Sequence, residues 1–405
     1  MPVVVDADSH LQPSLQWFEK QFPGMGLPGR EPSAFSPVKY FVPEEFWPDD
    51  EARMYSPPWL NFLQVQRDAI ELGIEFDDRI NDPSVDLGAI HRLFRGPGSF
   101  GGDDRIRVLD EQGIDFQLVS GVSLAGMASG PEGRALLEVG NSITLDRIAG
   151  HTDRMLAIVD IDPTDLDWTI AELERTRGLG ARLFNVPVKP VNGKSLSHPD
   201  LDPLWAAASD LGMLGYLHSF GDPYDPAWAN NGGRYLALSM ISAVRYHHEA
   251  ELLATVLIGG GVFARFPKFG VVMAEIGGLA WVPNLLQWVD ALVDDPTMHA
   301  MEGVEEWDLE LKPSEYARRQ LRVAPLPNES QRVSPWLDEL GDIAVFATDY
   351  PHPEGTPDPA IQGPEAAPTF FRDDLAGATE RQRDRFFGDS LAELFARTGD
   401  PLTRA

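Results

Sequence analysis

The chain has 405 residues, 43% hydrophobic and 24% charged, with a formal charge of −30 and no cysteine. That length and composition belong to a globular protein with a large core. An acidic surface repels phosphate backbones and anionic membranes, so no nucleic acid and no membrane is expected as partner. The lack of cysteine excludes disulfides, thiolate nucleophiles and cysteine–zinc sites.

No apolar run reaches spanning length, and nothing precedes the first strand where a signal peptide would stand, so the expected location is cytoplasmic. That first strand is Val3-Val4-Val5, a β-branched run leading into Asp6-Ala7-Asp8-Ser9-His10. Side chains alternate along a strand, so Asp6, Asp8 and His10 share one side if the extended conformation persists. Residues 13–60 are rich in proline and aromatics, and 61–100 mix a helical pattern with Gly96-Pro97-Gly98. A long aromatic-rich stretch of this kind is read as an insertion over 13–102, a lid or an oligomerisation arm.

From about residue 103 the rhythm is regular. Helical patterns over 105–112, 131–150, 164–177, 201–211, 233–257, 280–294 and 378–397 alternate with short apolar runs. The runs are Phe116 to Ser120, Met155 to Val159, Ala181 to Asn185, Met213 to His218, Phe269 to Glu275, Arg319 to Ala324 and Ile343 to Asp349. With the first strand they make about eight. The expected fold is α/β: a (β/α)8 TIM barrel with a long insertion after strand one, in one domain over 1–405. No dinucleotide fingerprint, nucleophile elbow or phosphate-binding loop is present.

Barrel enzymes place their reactive groups at the carboxyl ends of the strands. Those ends here carry Asp8 and His10, Ser120, Asp160, Asn185, His218, Glu275 and Asp349. Each has an ordinary reading on its own, as a turn cap or a hydrogen-bonded core residue. Together, Asp8, His10, His218 and Asp349 lie at the ends of strands one, five and eight and converge on one mouth. Two imidazoles and two carboxylates suit one divalent cation, Zn²⁺ first, with Mn²⁺, Fe²⁺ or Co²⁺ accommodated. Adjacent His247 and His248 face different directions on a helix and are expected to line a surface or pocket rather than to bind metal. Arg265 is expected to pair with an acid.

Several stretches carry a family resemblance: Asp6 to His10, Leu109 to Asp115, Asp202-Pro203-Leu204-Trp205, Gly261 to Pro267, Gly277 to Pro283 and Ala347 to Gly355. In these the chain resembles the amidohydrolase superfamily, in its amidohydrolase-related branch of the aminocarboxymuconate-semialdehyde decarboxylase type. The resemblance implies that Asp8, His10, His218 and Asp349 are metal ligands. Asp349 is then expected to take the proton of metal-activated water and pass it to a leaving nitrogen, Glu275 to orient substrate, shuttle a proton or anchor the neighbouring loop, and His352 to support the site or pack its loop, with direct catalysis the lesser reading. Asp8 stands where the branch commonly has histidine, and Glu275 where its decarboxylases often carry a proton-handling histidine. Asn185 stands where two-metal members have a bridging lysine, so one ion is expected.

The expected function is hydrolysis of a C–N bond, in an amide or amidine, by metal-activated water. One role of that kind is follower-peptide removal at a macroamidine of bottromycin-type peptide natural products. The alternatives are a non-oxidative decarboxylase or hydratase of an aromatic or unsaturated acid, and a non-catalytic metal-binding scaffold. A small-molecule or peptide substrate and a homodimer are the expected partners.

Overall fold

The computed structural model describes residues 2–11, 102–121, 130–218, 235–297, 307–327, 332–352 and 366–404. The expected insertion over 13–102 lies outside them, save its last residue. Seven parallel strands follow one another in chain order: β1 Val5–Asp6, β2 Phe116–Ser120, β3 Met155–Val159, β4 Leu183–Asn185, β5 Leu214–His218, β6 Val271–Ala274 and β7 Leu321–Ala324. Helices Gly102–Gln112, Gly130–Arg147, Leu166–Gly178, Asp202–Leu211, Tyr235–Gly259 and Trp281–Asp294 alternate with them. This is the expected barrel.

Segment 343–350 takes the eighth place. On one side Val323 donates to the Ile343 carbonyl (2.8 Å) and Val345 to the Val323 carbonyl (3.0 Å). On the other side Ala7 donates to Phe346 (2.9 Å), Asp349 to Asp8 (2.8 Å) and His10 to Tyr350 (2.8 Å). The segment therefore bonds to both β7 and the first strand, but not as a regular ladder. Two of its own N–H groups are diverted, that of Phe346 to the Phe386 carbonyl and that of Thr348 to the Asp6 carboxylate.

Alternation along the strands separates two cores. Phe116, Leu118, Leu156, Ile158, Val272 and Ala274 pack in one cluster that draws on every strand, the inside of the barrel. Their neighbours Val119, Ala157, Val159, Val271 and Met273 pack in the other, beneath the helices. Because both faces are buried, the strands read as unbroken apolar runs. Leu391, Leu394 and Phe395 of helix Ser390–Thr398 belong to the inner cluster. Leu394 reaches Gly270, just before β6, so this helix seals the amino-terminal end of the barrel and leaves the carboxyl end for the site.

Three further elements depart from expectation. The run from Arg319 is strand only over Leu321–Ala324, because helix Pro313–Gln320 precedes it. Pro313 opens that helix, and Glu315 accepts the Lys312 N–H at 2.8 Å. Helix Ala366–Asp374 was not foreseen. The last helix is divided by a π-turn at Arg385–Asp389, where Gly388 lies so close to the chain start that a Cβ would stand 2.0 Å from the Val3 carbonyl oxygen. Among the described residues no helix is long and apolar enough to cross a membrane.

Gly388→Ala is expected to lower stability by about 2–3 kcal/mol, because the obstruction is backbone and cannot rotate away. Gly259→Ala, with nothing within 4 Å of the new methyl, should be near neutral. Urea unfolding midpoints of the two variants check the contrast.

Candidate metal centre

Four elements deliver the site residues to the open end. Asp8 and His10 follow β1, His218 ends β5, Glu275 follows β6, Asp349 lies near the end of the eighth segment and His352 just beyond it. Glu275 and Asp349 both adopt left-handed backbone, with φ of 55° and 54°. Side chains other than glycine rarely do so, and such conformations gather where the surrounding fold fixes a functional group. Here they turn two carboxylates out of the strand alternation and into the mouth.

Asp8, His10, His218 and Asp349 each offer a ligand atom, and these atoms all lie within 4.8 Å of one another. His10 Nε2 is 3.1 Å from Asp349 Oδ1 and 3.6 Å from Asp8 Oδ1. His218 Nε2 is 3.8 Å from Asp8 Oδ2 and 3.0 Å from Glu275 Oε2. His352 stacks on His10 with ring centroids 3.9 Å apart, and its Nδ1 is 3.1 Å from Asp349 Oδ1. The structure thus assembles all six expected site residues, and both aspartates are fully buried.

The donor set fits a cation. Asp8 Oδ2, His10 Nε2, Glu275 Oε2 and both Asp349 oxygens are buried, yet none makes a hydrogen bond of good geometry. Ligand atoms of Asp8, His10, His218 and Asp349 lie within 4.8 Å of one another, whereas buried polar atoms are normally satisfied. Burial pushes the Asp8 carboxyl up to about 8, with Asp349 and Glu275 adding to the rise and His218 opposing it. Burial also drives His10 down to about 3, helped by His352. For His218 burial works downward, but Asp8 and Glu275 outweigh it and lift the imidazole to about 9. Asp349 is held well below the carboxylate range, because His352 and His10 overcome the effect of burial. Without a cation, protons on Asp8 and His218 offset the charge. A divalent ion held by Asp8, His10, His218 and Asp349 would do so with all four groups in their ligating forms.

Asp6 does not join this cluster. The strand ends at Asp6, and the Asp8 N–H turns back to its Oδ1 (3.2 Å). The Asp6 carboxylate also accepts from the Thr348 N–H (2.8 Å), Thr348 Oγ1 (2.6 Å) and Gln117 Nε2 (2.7 Å). Buried Arg105 then binds Gln117 Oε1 (3.2 Å), the Tyr350 carbonyl (3.3 Å) and the His10 carbonyl. This layer beneath the site ties the first strand to the eighth segment. Tyr216 was also missed: its hydroxyl donates to Asp8 Oδ1 at 2.7 Å. The available signal was a tyrosine two residues before His218, on the same face of an otherwise aliphatic strand, where a buried phenol needs a partner.

The remaining strand-end residues stand apart. Asn185 donates to Asp160 Oδ1 (2.5 Å) and has no place in the metal cluster. Arg265 pairs with Asp202 at 2.9 Å. One expectation is corrected. His247 and His248 do not diverge: their ring centroids are 4.4 Å apart, and with Glu251 they bring ligand atoms within 4.8 Å of one another. Rotation of the two side chains overrides the angle between neighbouring Cα–Cβ bonds, and His248 Nδ1 lies 3.1 Å from Glu251 Oε2.

A parallel barrel with two carboxylates and two imidazoles converging at its carboxyl end defines a class of metal-dependent barrel enzymes. A family model described as amidohydrolase matches residues 90–396, and the chain belongs to that family. It is 28% identical over 202 residues to the decarboxylase orsB of Emericella nidulans, a match spanning 46% of this chain and 56% of that protein. The chain thus matches little more than half the length of that relative. An amidohydrolase of Mycobacterium avium subsp. paratuberculosis superposes with a TM-score of 0.60 at 20% identity, over 97% of this chain and 99% of that one. A dihydroxybenzoic acid decarboxylase of a Polaromonas species, with bound manganese and 2-nitroresorcinol, superposes with a TM-score of 0.55 at 15% identity, over 98% and 97%. At these identities the structural likeness is one of fold.

Protein never exposed to chelator is expected to carry about one divalent ion per chain. In stripped protein near neutral pH Asp8→Asn should raise the melting temperature by a few degrees, since the parent must take up a proton at Asp8 on folding and the amide need not. The same variant should lose most of the rise that added ion gives the parent. Thermal melts with and without ion check both signs.

Proposed function

We propose that this chain is a metal-dependent, non-oxidative decarboxylase of an aromatic carboxylic acid. The carrying observation is Asp349, whose two oxygens are buried at the mouth without hydrogen bonds and whose Oδ1 is 3.1 Å from His352 Nδ1. That pair can move a proton to a substrate carbon. A divalent ion held by Asp8, His10, His218 and Asp349, Zn²⁺ or Mn²⁺ by its mixed donors, would supply the positive charge that anchors an acid and withdraws electrons from it. The proton passes from His352 through Asp349 to the ring carbon bearing the carboxylate. The bond from that carbon to the carboxylate then breaks, its electron pair restores the ring, and CO₂ leaves. Asp349 holds protons weakly, which suits a group that must hand one on. The named decarboxylases among the relatives support this reading.

Glu275 favours a second reading, hydrolysis of an amide or amidine C–N bond. No histidine follows β6; a carboxylate stands there, 3.0 Å from His218, placed to orient water or take its proton. Incubation of metal-loaded protein with a panel of hydroxybenzoic acids separates the two. Decarboxylation releases CO₂ and the matching phenol in equal amounts, and in D₂O places one deuterium on the ring. Asp349→Asn should lower turnover by roughly a thousandfold with the fold intact. Cleavage of aryl amides with ¹⁸O uptake from water, and no CO₂ from any acid, would establish the hydrolase instead.

A further inference from the structure

Asp8 stands at a position that the family resemblance assigns to histidine, and the exchange poses a chemical problem. An imidazole offers a single donor atom to an ion. A carboxylate offers two and can switch between one-oxygen and two-oxygen contact. In this structure one Asp8 oxygen is already engaged. The Tyr216 hydroxyl lies 2.7 Å from Oδ1, while Oδ2 has no hydrogen bond. The hydroxyl is also 3.2 Å from the Ala7 carbonyl oxygen, but it has one proton, and the shorter contact to a carboxylate is the stronger.

Neither partner is free to move. Tyr216 and Asp8 are both fully buried, and the Tyr216 ring packs within the inner core of the barrel. Tyr216 lies on β5, two residues before His218, so one strand supplies both a ligand and the group that restrains a second ligand. The Tyr216 and His218 rings lie at 26° with centroids 6.4 Å apart.

We propose that Tyr216 is a positioning residue that makes Asp8 a one-oxygen ligand and thereby sets which divalent ion the centre prefers. With Oδ1 on the phenol, Oδ2 alone faces the ion, and each of the four residues can place one donor atom on it. Four donors suit a small tetrahedral ion such as Zn²⁺. With the hydroxyl gone, Oδ1 is released and Asp8 can offer both oxygens. That gain helps a larger, oxygen-seeking ion such as Mn²⁺ and not the smaller one. The proposal rests on the metal-dependent reading above, and binding rather than turnover tests it.

Chelator-stripped parent and Tyr216→Phe are titrated with Zn²⁺ and with Mn²⁺ against a chromophoric competitor. The variant is expected to lose about tenfold or more in Zn²⁺ affinity while Mn²⁺ affinity stays within about threefold, a shift of preference toward Mn²⁺. Equal losses for both ions, the mark of a merely structural role, or no change in either would overturn the proposal. A parent protein that binds neither ion would overturn the metal reading itself and this proposal with it. Should the variant not fold, a crystal structure of the zinc-loaded parent decides the matter. Asp8 is expected to bind through Oδ2 with Oδ1 still on Tyr216; two-oxygen contact would overturn the proposal.

Discussion

Two carboxylates, Asp8 and Asp349, are fully buried at the same end of one barrel, each within 4 Å of the same imidazole nitrogen. Like charges so placed repel strongly in a low-dielectric interior, and neither can escape to water. Much of the surrounding structure answers to this constraint. His10 and His352 draw negative charge onto Asp349, while burial favours a proton on Asp8. The arrangement has the character of a socket, whose strain a doubly charged cation relieves.

Beneath the socket lies a second polar layer with a different task. Asp6, Thr348, Gln117 and Arg105 satisfy one another almost completely, and they join the first strand to the eighth segment where the ladder is irregular. The Asp6 carboxylate does so at a cost of its own, since burial raises it to about 6 despite its hydrogen bonds. The two layers divide the work. Saturated groups below fix the backbone, and unsaturated ones above remain available for binding. That division explains why neighbouring aspartates in one short stretch behave so differently.

Much of this was legible in the residues alone. β2 and β3 match the expected runs because both faces of a parallel strand are buried and the apolar run has sharp edges. His218 and Asp349 were legible because a polar residue ending such a run must face the mouth. Other features were not. Glu275 and Asp349 adopt a backbone conformation that no residue type announces. The Tyr216 bond to Asp8 joins residues 208 positions apart, beyond the reach of any local pattern. The regularity of the eighth strand was overestimated because its composition is strand-like, whereas its N–H groups are taken by Asp6 and Phe386. The paired rings of His247 and His248 depend on rotamers, which spacing does not specify.

The seam of the barrel has a further consequence. Asp8 and Asp349, hydrogen-bonded through their backbones at 2.8 Å, come from nearly opposite ends of the described chain. Asp8 and His10 are therefore synthesised well before His218, and His218 well before Asp349. A growing chain on the ribosome carries an aspartate and a histidine that cannot complete the four-residue cluster until Asp349 has emerged and the ring has closed. Capture of an ion by all four residues would then follow closure of the ring rather than precede it.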